Sequence, residues 1–243
     1  MRDKTIYGIR PVIEAIKSGK EIDKIMIQKG LRGEGFHQLM AFVRDLDIPV
    51  QYVPIEKLNK IYRQNHQGVI AFISEITYQK LEQVIPFTYE QGKVPIILVL
   101  DQITDVRNLG AIARTAECAG VDMIVIPERG SAQVTSDAIK TSAGALYKLP
   151  VSRVQSLKEA IVFMKNSGLT IFAATEKAST SYSAVKFTQP MALIMGSEDT
   201  GISEECLKLA DELIMIPVHG EIESLNVSVA TGVILYEILR QRI

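Results

Sequence analysis

Three segments of this 243-residue chain combine glycine with amide, hydroxyl and charged side chains at spacings that invite a ligand. In LDQITDVRNLGAIARTAECAG, Asn108 and Arg114 flank a helix whose inner face carries Leu109, Ile112 and Ala116. Asn108 reads either as the helix N-cap or as a hydrogen-bonding group for a substrate. Arg114, with Arg107 just ahead of the helix, is either a solvated cation or a guanidinium reaching the loop side of the strand end. In MALIMGSEDTGIS, Gly196 closes an apolar run, where glycine permits close approach of a ligand or a positive φ, and Glu198 and Asp199 follow on the rim. The plain alternative is a strand-to-helix turn with capping acids, Gly201 leading into a helix near Ser203. In LIMIPVHGEIESLNVSVATGVILYE, Ser224 and Asn226 either cap the last helix or face a ligand. The connection is longer than a cap requires, and long polar loops at strand ends tend to carry function.

Such loops need a scaffold. From Val94 onward, PIILVLD, MIVIP, LPV, TIFAAT, MALIMG and LIMIPV read as strands. Helical patterns lie between them in NLGAIARTAECAG, QVTSDAIKTSAG, SLKEAIVFMKNSG and EECLKLA, and NVSVATGVILYEILRQRI closes the chain. Runs such as IILVL and ALIM are apolar on both faces, as parallel strands covered by helices on each side must be. Residues 94–243 are therefore expected to form a doubly wound α/β domain, with ligands at the carboxyl ends of the strands where chain order switches. Residues 1–75 alternate shorter helical and β-branched runs and read as a small α/β unit. Within it, Val12, Ile13 and Ile16 sit at helical spacing, Pro11 suits a first turn and Gly19 a stop. EITYQKLEQVIPFTYEQGKVP carries two prolines, one glycine and no sustained periodicity, so residues 76–93 read as an interdomain linker, part of which can pack.

Composition narrows the function classes. The chain is 47% hydrophobic and 23% charged, with a mean hydropathy of +0.14, which excludes a disordered or collagen-like protein. Its apolar runs are far shorter than the roughly 20 residues of a membrane span, and MRDKTIYGIR lacks the apolar stretch of a secretory signal, so a soluble, cytoplasmic protein is expected. Cys118 and Cys206 have no second thiol nearby; they are expected to be reduced and structural. His37, His66 and His219 are not paired at metal-ligand spacing, so no metal is expected. GxGxxG, GxxxxGK[ST] and GxSxG are all absent, which removes support for Rossmann, P-loop and elbow-hydrolase chemistry. His66, ahead of Gln67 and Gly68, reads as stabilising a turn. Tyr7, Tyr52 and Tyr62 are either core and surface tyrosines or stacking platforms for bases. Net charge is −1, but residues 1–75 hold twelve basic against nine acidic residues (net +3), while the remainder is net −4. A polyanion would therefore need a local basic face, for which Arg2, Lys4, Arg10, Lys29, Arg32 and Arg63 are candidates.

With these segments in view, the chain resembles a known family. NLGAIARTAECAG, LIMGSEDTG and IPVHGEIESLNVSVATGVILYE are similar, in order and spacing, to the three motifs of the SpoU (TrmH-like) branch of the SPOUT RNA methyltransferases. IYGIRPVIEAI and HQGVIAFI resemble the N-terminal substrate-binding domain of that branch, a ribosomal-protein-like RNA-binding fold. The resemblance covers nearly the whole chain and is closest to bacterial 23S rRNA guanosine 2′-O-methyltransferases. It implies a deep trefoil knot in the C-terminal domain, despite the rarity of knots, S-adenosylmethionine as cofactor, and a homodimer whose active sites are completed at the subunit interface. It places the cofactor against Gly196, Ile216 and Leu225, and chemistry at Asn108, Arg114, Glu198, Ser224 and Asn226. In that reading Asn108 orients the ribose or Arg114, Glu198 pairs with an arginine or holds the nucleotide, and Ser224 and Asn226 shape the substrate side of the cofactor loop. Competing readings are a tRNA ribose methyltransferase of the same fold, a non-catalytic RNA-binding assembly factor that keeps the knot, and an unrelated small-molecule enzyme on a doubly wound sheet. Relatives that act on tRNA usually carry basic terminal extensions rather than such an N-terminal domain, which favours rRNA.

Overall fold

A computed structural model describes residues 5–46, 48–222 and 224–243; Arg2 and Lys4 lie outside the described residues. The chain divides into two compact units, Met1–Thr77 and Tyr78–Ile243.

The first unit holds β1 (Thr5–Tyr7), α1 (Ile9–Lys17), β2 (Ile22–Gln28), α2 (Glu34–Asp45), β3 (Val50–Val53), α3 (Ile55–Ile61) and β4 (Val69–Ile73). Its sheet runs β1-β4-β2-β3, with β4 antiparallel to both neighbours and β2 parallel to β3. Strand alternation sorts the core. Ile25, Ile27, Val69 and Ala71 pack under Val12, Ile13 and Ile16 of α1 and Leu39 and Val43 of α2. Met26 and Ile70 point the other way, onto Leu58 of α3. His66 is buried and fixes the turn into β4: its Nδ1 accepts from the Gly68 N–H at 3.0 Å, which leaves Nε2 to donate to Asn59 Oδ1 at 2.9 Å. Tyr7 and Tyr62 stack on each other with ring centroids 3.6 Å apart.

The second unit begins inside the segment read as a linker. Residues 81–90 form α4 (Leu81–Glu90), whose Leu81, Val84 and Ile85 are buried in the core of this unit. Pro86 interrupts the periodicity that would have marked the helix, and the amphipathic face survives it. There follow β5 (Ile96–Leu100), α5 (Val106–Cys118), β6 (Met123–Pro127), α6 (Ser136–Thr141), β7 (Val151–Val154), α7 (Leu157–Asn166), β8 (Thr170–Ala174), β9 (Met191–Met195), α8 (Glu204–Leu209), β10 (Glu212–Ile214) and α9 (Val227–Arg242). The six strands form a parallel sheet in the order β10-β8-β9-β5-β6-β7. β5 and β9 are buried along their whole length. One face of the sheet, with Ile97, Val99, Ile171 and Ile194, packs against α4, α7 and α8. The alternate residues Leu98, Ile124, Phe172 and Leu193 point to the opposite face. There α5 packs on α9, and Gly110 lets α5 approach α6, because a Cβ at this position would lie 2.6 Å from Thr141 Cβ.

The chain leaves β5 toward β6 and leaves β9 toward β10, so its direction across the sheet reverses between two adjacent strands. That is the topological position where open α/β sheets bind ligands. Cys206 is buried and its thiol is pushed up to about 11 by burial, whereas Cys118 is exposed at the end of α5 and has no structural role in the core. Among the described residues no helix is long and apolar enough to cross a membrane, and no group of three or more His, Cys, Asp or Glu could hold a metal ion.

Candidate active site

The helix after β5 starts one turn earlier than a cap at Asn108 would require. Asp105 is the N-cap, its Oδ1 accepting from the N–H groups of Arg107 (2.6 Å) and Asn108 (3.3 Å). The Arg107 N–H holds the Asp105 carboxyl below the usual carboxylate range. Asn108 is thereby released from capping, and its amide faces the loops that follow β9 and β10. Nδ2 donates to Glu198 Oε1 at 3.1 Å, and Oδ1 accepts from Asn226 Nδ2 at 3.0 Å. Asn226 does cap α9, through its Oδ1 and the Ser228 N–H, and with Nδ2 it also donates to Glu198 Oε1 at 2.5 Å. The Val227 N–H is a third donor to the same carboxylate oxygen, at 3.1 Å. Glu198 thus meets two asparagine amides and a helix N-terminus, where a carboxylate is electrostatically favoured, and among the described residues it pairs with no arginine. Three segments separated by 90 and 28 residues in sequence close into one hydrogen-bonded ring.

Gly196 explains the shape of the loop that carries Glu198. A Cβ there would lie 2.2 Å from the Gly201 carbonyl carbon and 2.3 Å from the Ile202 nitrogen, so the close approach is made by the chain's own backbone. Residues 197–201 fold back over the strand end, fastened by Ser197 N–H to Gly201 O (3.2 Å) and Gly201 N–H to Ser197 O (2.9 Å). Gly201 takes φ +67°, the left-handed region that glycine enters without steric cost, before Ser203 leads into α8.

Beside this loop lies a cavity of about 590 Å³ at the carboxyl ends of β8, β9 and β10. Gly196, Glu198, Ile216, Ser224 and Leu225, all expected at the site from the sequence, line it. Asn108 and Asn226 reach it through Glu198. Arg114 is exposed on α5 and is not part of the wall. The sequence reading missed Glu176 and Lys177, which the loop after β8 adds to the wall, and the Asp105 cap. An aspartate three residues ahead of Asn108 was the available signal for the cap; nothing in the sequence marked the β8 loop.

Comparison with known proteins agrees with this architecture. The SpoU rRNA Methylase family model matches residues 95–236, which contain the parallel sheet and the cavity. The chain belongs to the SpoU methylase family. A second model, RNA 2′-O ribose methyltransferase substrate binding, matches residues 5–79 of this SpoU methylase, the first unit. A TrmH family tRNA/rRNA methyltransferase of Staphylococcus haemolyticus is 36% identical over 242 residues, covering 100% of this chain and 97% of the relative. The AdoMet-bound rRNA methyltransferase of Sinorhizobium meliloti is 25% identical with a TM-score of 0.64, over 99% of this chain and 88% of that one. The TrmH/SpoU tRNA modifying enzyme of A. aeolicus is 32% identical with a TM-score of 0.57, over 67% of this chain and 84% of that one.

Proposed function

We propose that this SpoU methylase transfers a methyl group from S-adenosylmethionine to a ribose 2′-hydroxyl of RNA, at a guanosine of 23S rRNA. The observation that carries the reading is the ring of Asn108, Glu198 and Asn226 at the edge of a single cavity.

The residues present suit the cofactor. The cavity falls within the roughly 300–1,000 Å³ of small-molecule sites. Its walls combine apolar Ile216, Leu225 and Val218, fit to cover the faces of an adenine, with the backbone of the folded-back 196–201 loop. When bound, S-adenosylmethionine supplies an electrophilic methyl on a sulfonium. Gly196, Ile216 and Leu225 hold it, the Asn108–Glu198–Asn226 ring orients the ribose side, and Ser224 shapes the loop between them. A guanidinium keeps its proton in a protein, so Arg114 is not the base. Arg114 binds the target phosphate and stabilises negative charge developing on the 2′-oxygen, while the proton leaves to water or another acceptor. Because Arg114 lies outside the cavity wall of its own chain, it serves the site of a second copy in a homodimer. Supporting that arrangement, Val229 and Tyr236 lie seven residues apart on α9 and are 53% and 52% exposed. The trefoil-knotted path that the resemblance implies is part of this proposal; the last turn of α9 is fastened through Gln241 and Arg242 to residues 185–189 ahead of β9 and to Val94 ahead of β5.

RNA is held by the first unit. Arg10, Lys29, Arg32 and Arg63 follow β1, β2 or α3, so they gather at the sheet end formed by the carboxyl ends of β1 and β2 and the start of β4. All four are exposed, and among the described residues none has an ion-pair partner. The 2′-O and rRNA assignments draw support from the substrate-binding model on this unit and from the rRNA methyltransferase that matches nearly the whole chain. The tRNA-modifying relative matches about two-thirds of it. The test is methyl transfer from labelled S-adenosylmethionine to 23S rRNA and to tRNA, followed by digestion to nucleosides. Label is expected in 2′-O-methylguanosine from rRNA; label on a base, or only in tRNA, would overturn the assignment.

A further inference from the structure

Gln102, the second residue past β5, is one of three described non-glycine residues with a left-handed backbone, at φ +59°. A side chain in this region is sterically disfavoured and persists where its surroundings hold it, and such positions concentrate at functional sites. What holds Gln102 is the loop after β9: Thr200 Oγ1 donates to Gln102 Oε1 at 3.0 Å. Since the Thr200 hydroxyl proton is used there, Ser197 Oγ donates to Thr200 Oγ1 at 2.7 Å, and Ser197 Oγ in turn accepts from the Thr200 N–H at 3.1 Å. Asp101, only 5% exposed, forms a second tether by accepting from the Ser203 N–H at 2.8 Å. The stretch just past β5 therefore holds Thr200 inside the 197–201 loop and Ser203 just beyond it. Within that loop, Ser197, Glu198, Asp199 and Thr200 all line the cavity, while Gln102 does not.

We propose that Gln102 is a positioning residue, acting through Thr200 to hold the 197–201 loop in the form that shapes the donor cavity and aims Glu198 at Asn108 and Asn226. This rests on the reading of that cavity as the donor site. The strained backbone is the cost of placing an acceptor opposite Thr200, where glycine would sit without strain but offer no tether.

That contrast makes the test. Gln102→Gly removes the side chain and relieves the backbone, so thermal stability is retained or raised. S-adenosylhomocysteine affinity measured by calorimetry is expected to fall by about three- to tenfold, the worth of one neutral hydrogen bond. Thr200→Val gives a similar loss, and the double variant is no worse than either single one, because both cut the same link. Gln102→Glu, which keeps an acceptor oxygen, restores most of the affinity. Independently of any ligand, amide exchange at Gly201 N–H quickens in Gln102→Gly while that of β9 is unchanged. Wild-type affinity and unaltered Gly201 exchange in Gln102→Gly, or fully additive losses in the cycle, would overturn the proposal. Absence of binding by the wild-type protein would instead overturn the donor-site reading, and the exchange measurement would still decide the role of Gln102.

Discussion

Replacing Gly196 with alanine is the sharpest single perturbation of the cavity. The added Cβ would meet the Gly201 carbonyl carbon at 2.2 Å, the Ile202 nitrogen at 2.3 Å and the Gly201 oxygen at 2.4 Å, all of them backbone atoms. To restore ordinary contact the loop must retreat by about 1 Å, and overpacking of this kind costs about 1–3 kcal/mol. For a unit of this size that lowers Tm by about 3–10 °C. The same retreat stretches the paired backbone bonds between Ser197 and Gly201 and pulls Glu198 from Asn108 and Asn226. A misplacement of about 1 Å is enough to lose some hundredfold in function. Gly196→Ala should therefore remain folded by circular dichroism, lose a few degrees of Tm, and transfer methyl groups about a hundredfold more slowly in a labelled S-adenosylmethionine assay. An alanine variant with wild-type turnover would show that the folded-back loop does not shape the donor cavity.

Other outcomes follow from the same geometry. Glu198→Ala strands the amides of Asn108 and Asn226 and should lower kcat by about tenfold or more, whereas Glu198→Gln, which keeps one acceptor oxygen, should retain part of the rate; unchanged turnover of the alanine variant would remove Glu198 from the site. Arg242 donates to the carbonyls of Val94, Phe187 and Gln189 at 2.6–2.8 Å, so Arg242→Ala should cost about 2–3 kcal/mol, read as a Tm drop of about 5–10 °C. At pH 8 an alkylating reagent should modify exposed Cys118 and spare Cys206, whose thiol is pushed up to about 11 by burial, until denaturant makes both react. Affinity for 23S rRNA fragments should fall steeply with salt, and less steeply after Arg10, Arg32 and Arg63 are replaced by alanine; a flat salt response would contradict the basic sheet end.

The legible parts of this fold were those where one physical rule dominates. Buried parallel strands must be apolar on both faces, so IILVL and MALIM announced themselves, and the amphipathic helices between them followed. β1 escaped because Thr5–Tyr7 runs straight into α1 and is only three residues long. α4 escaped because Pro86 masks a helix that tertiary burial of Leu81, Val84 and Ile85 sustains. In the site, glycine at 196 was legible as a close approach, but not that the approaching backbone belongs to residues 201 and 202. Asn108 and Asn226 look alike as caps in sequence. Only Asn226 caps; the Asp105 cap frees Asn108, and their shared link to Glu198 depends on strand order that local patterns do not encode. Gln102 carries no sequence signal, since its role lies in a backbone conformation imposed by a contact 98 residues away.

The most direct test of the central claim is a map of ribose methylation across 23S rRNA and tRNA from cells with and without this protein. One guanosine of 23S rRNA is expected to lose its 2′-O-methyl group when the protein is absent and to regain it with the wild-type chain but not with Gly196→Ala. Loss of a ribose methyl from tRNA alone, or an unchanged map, would contradict it.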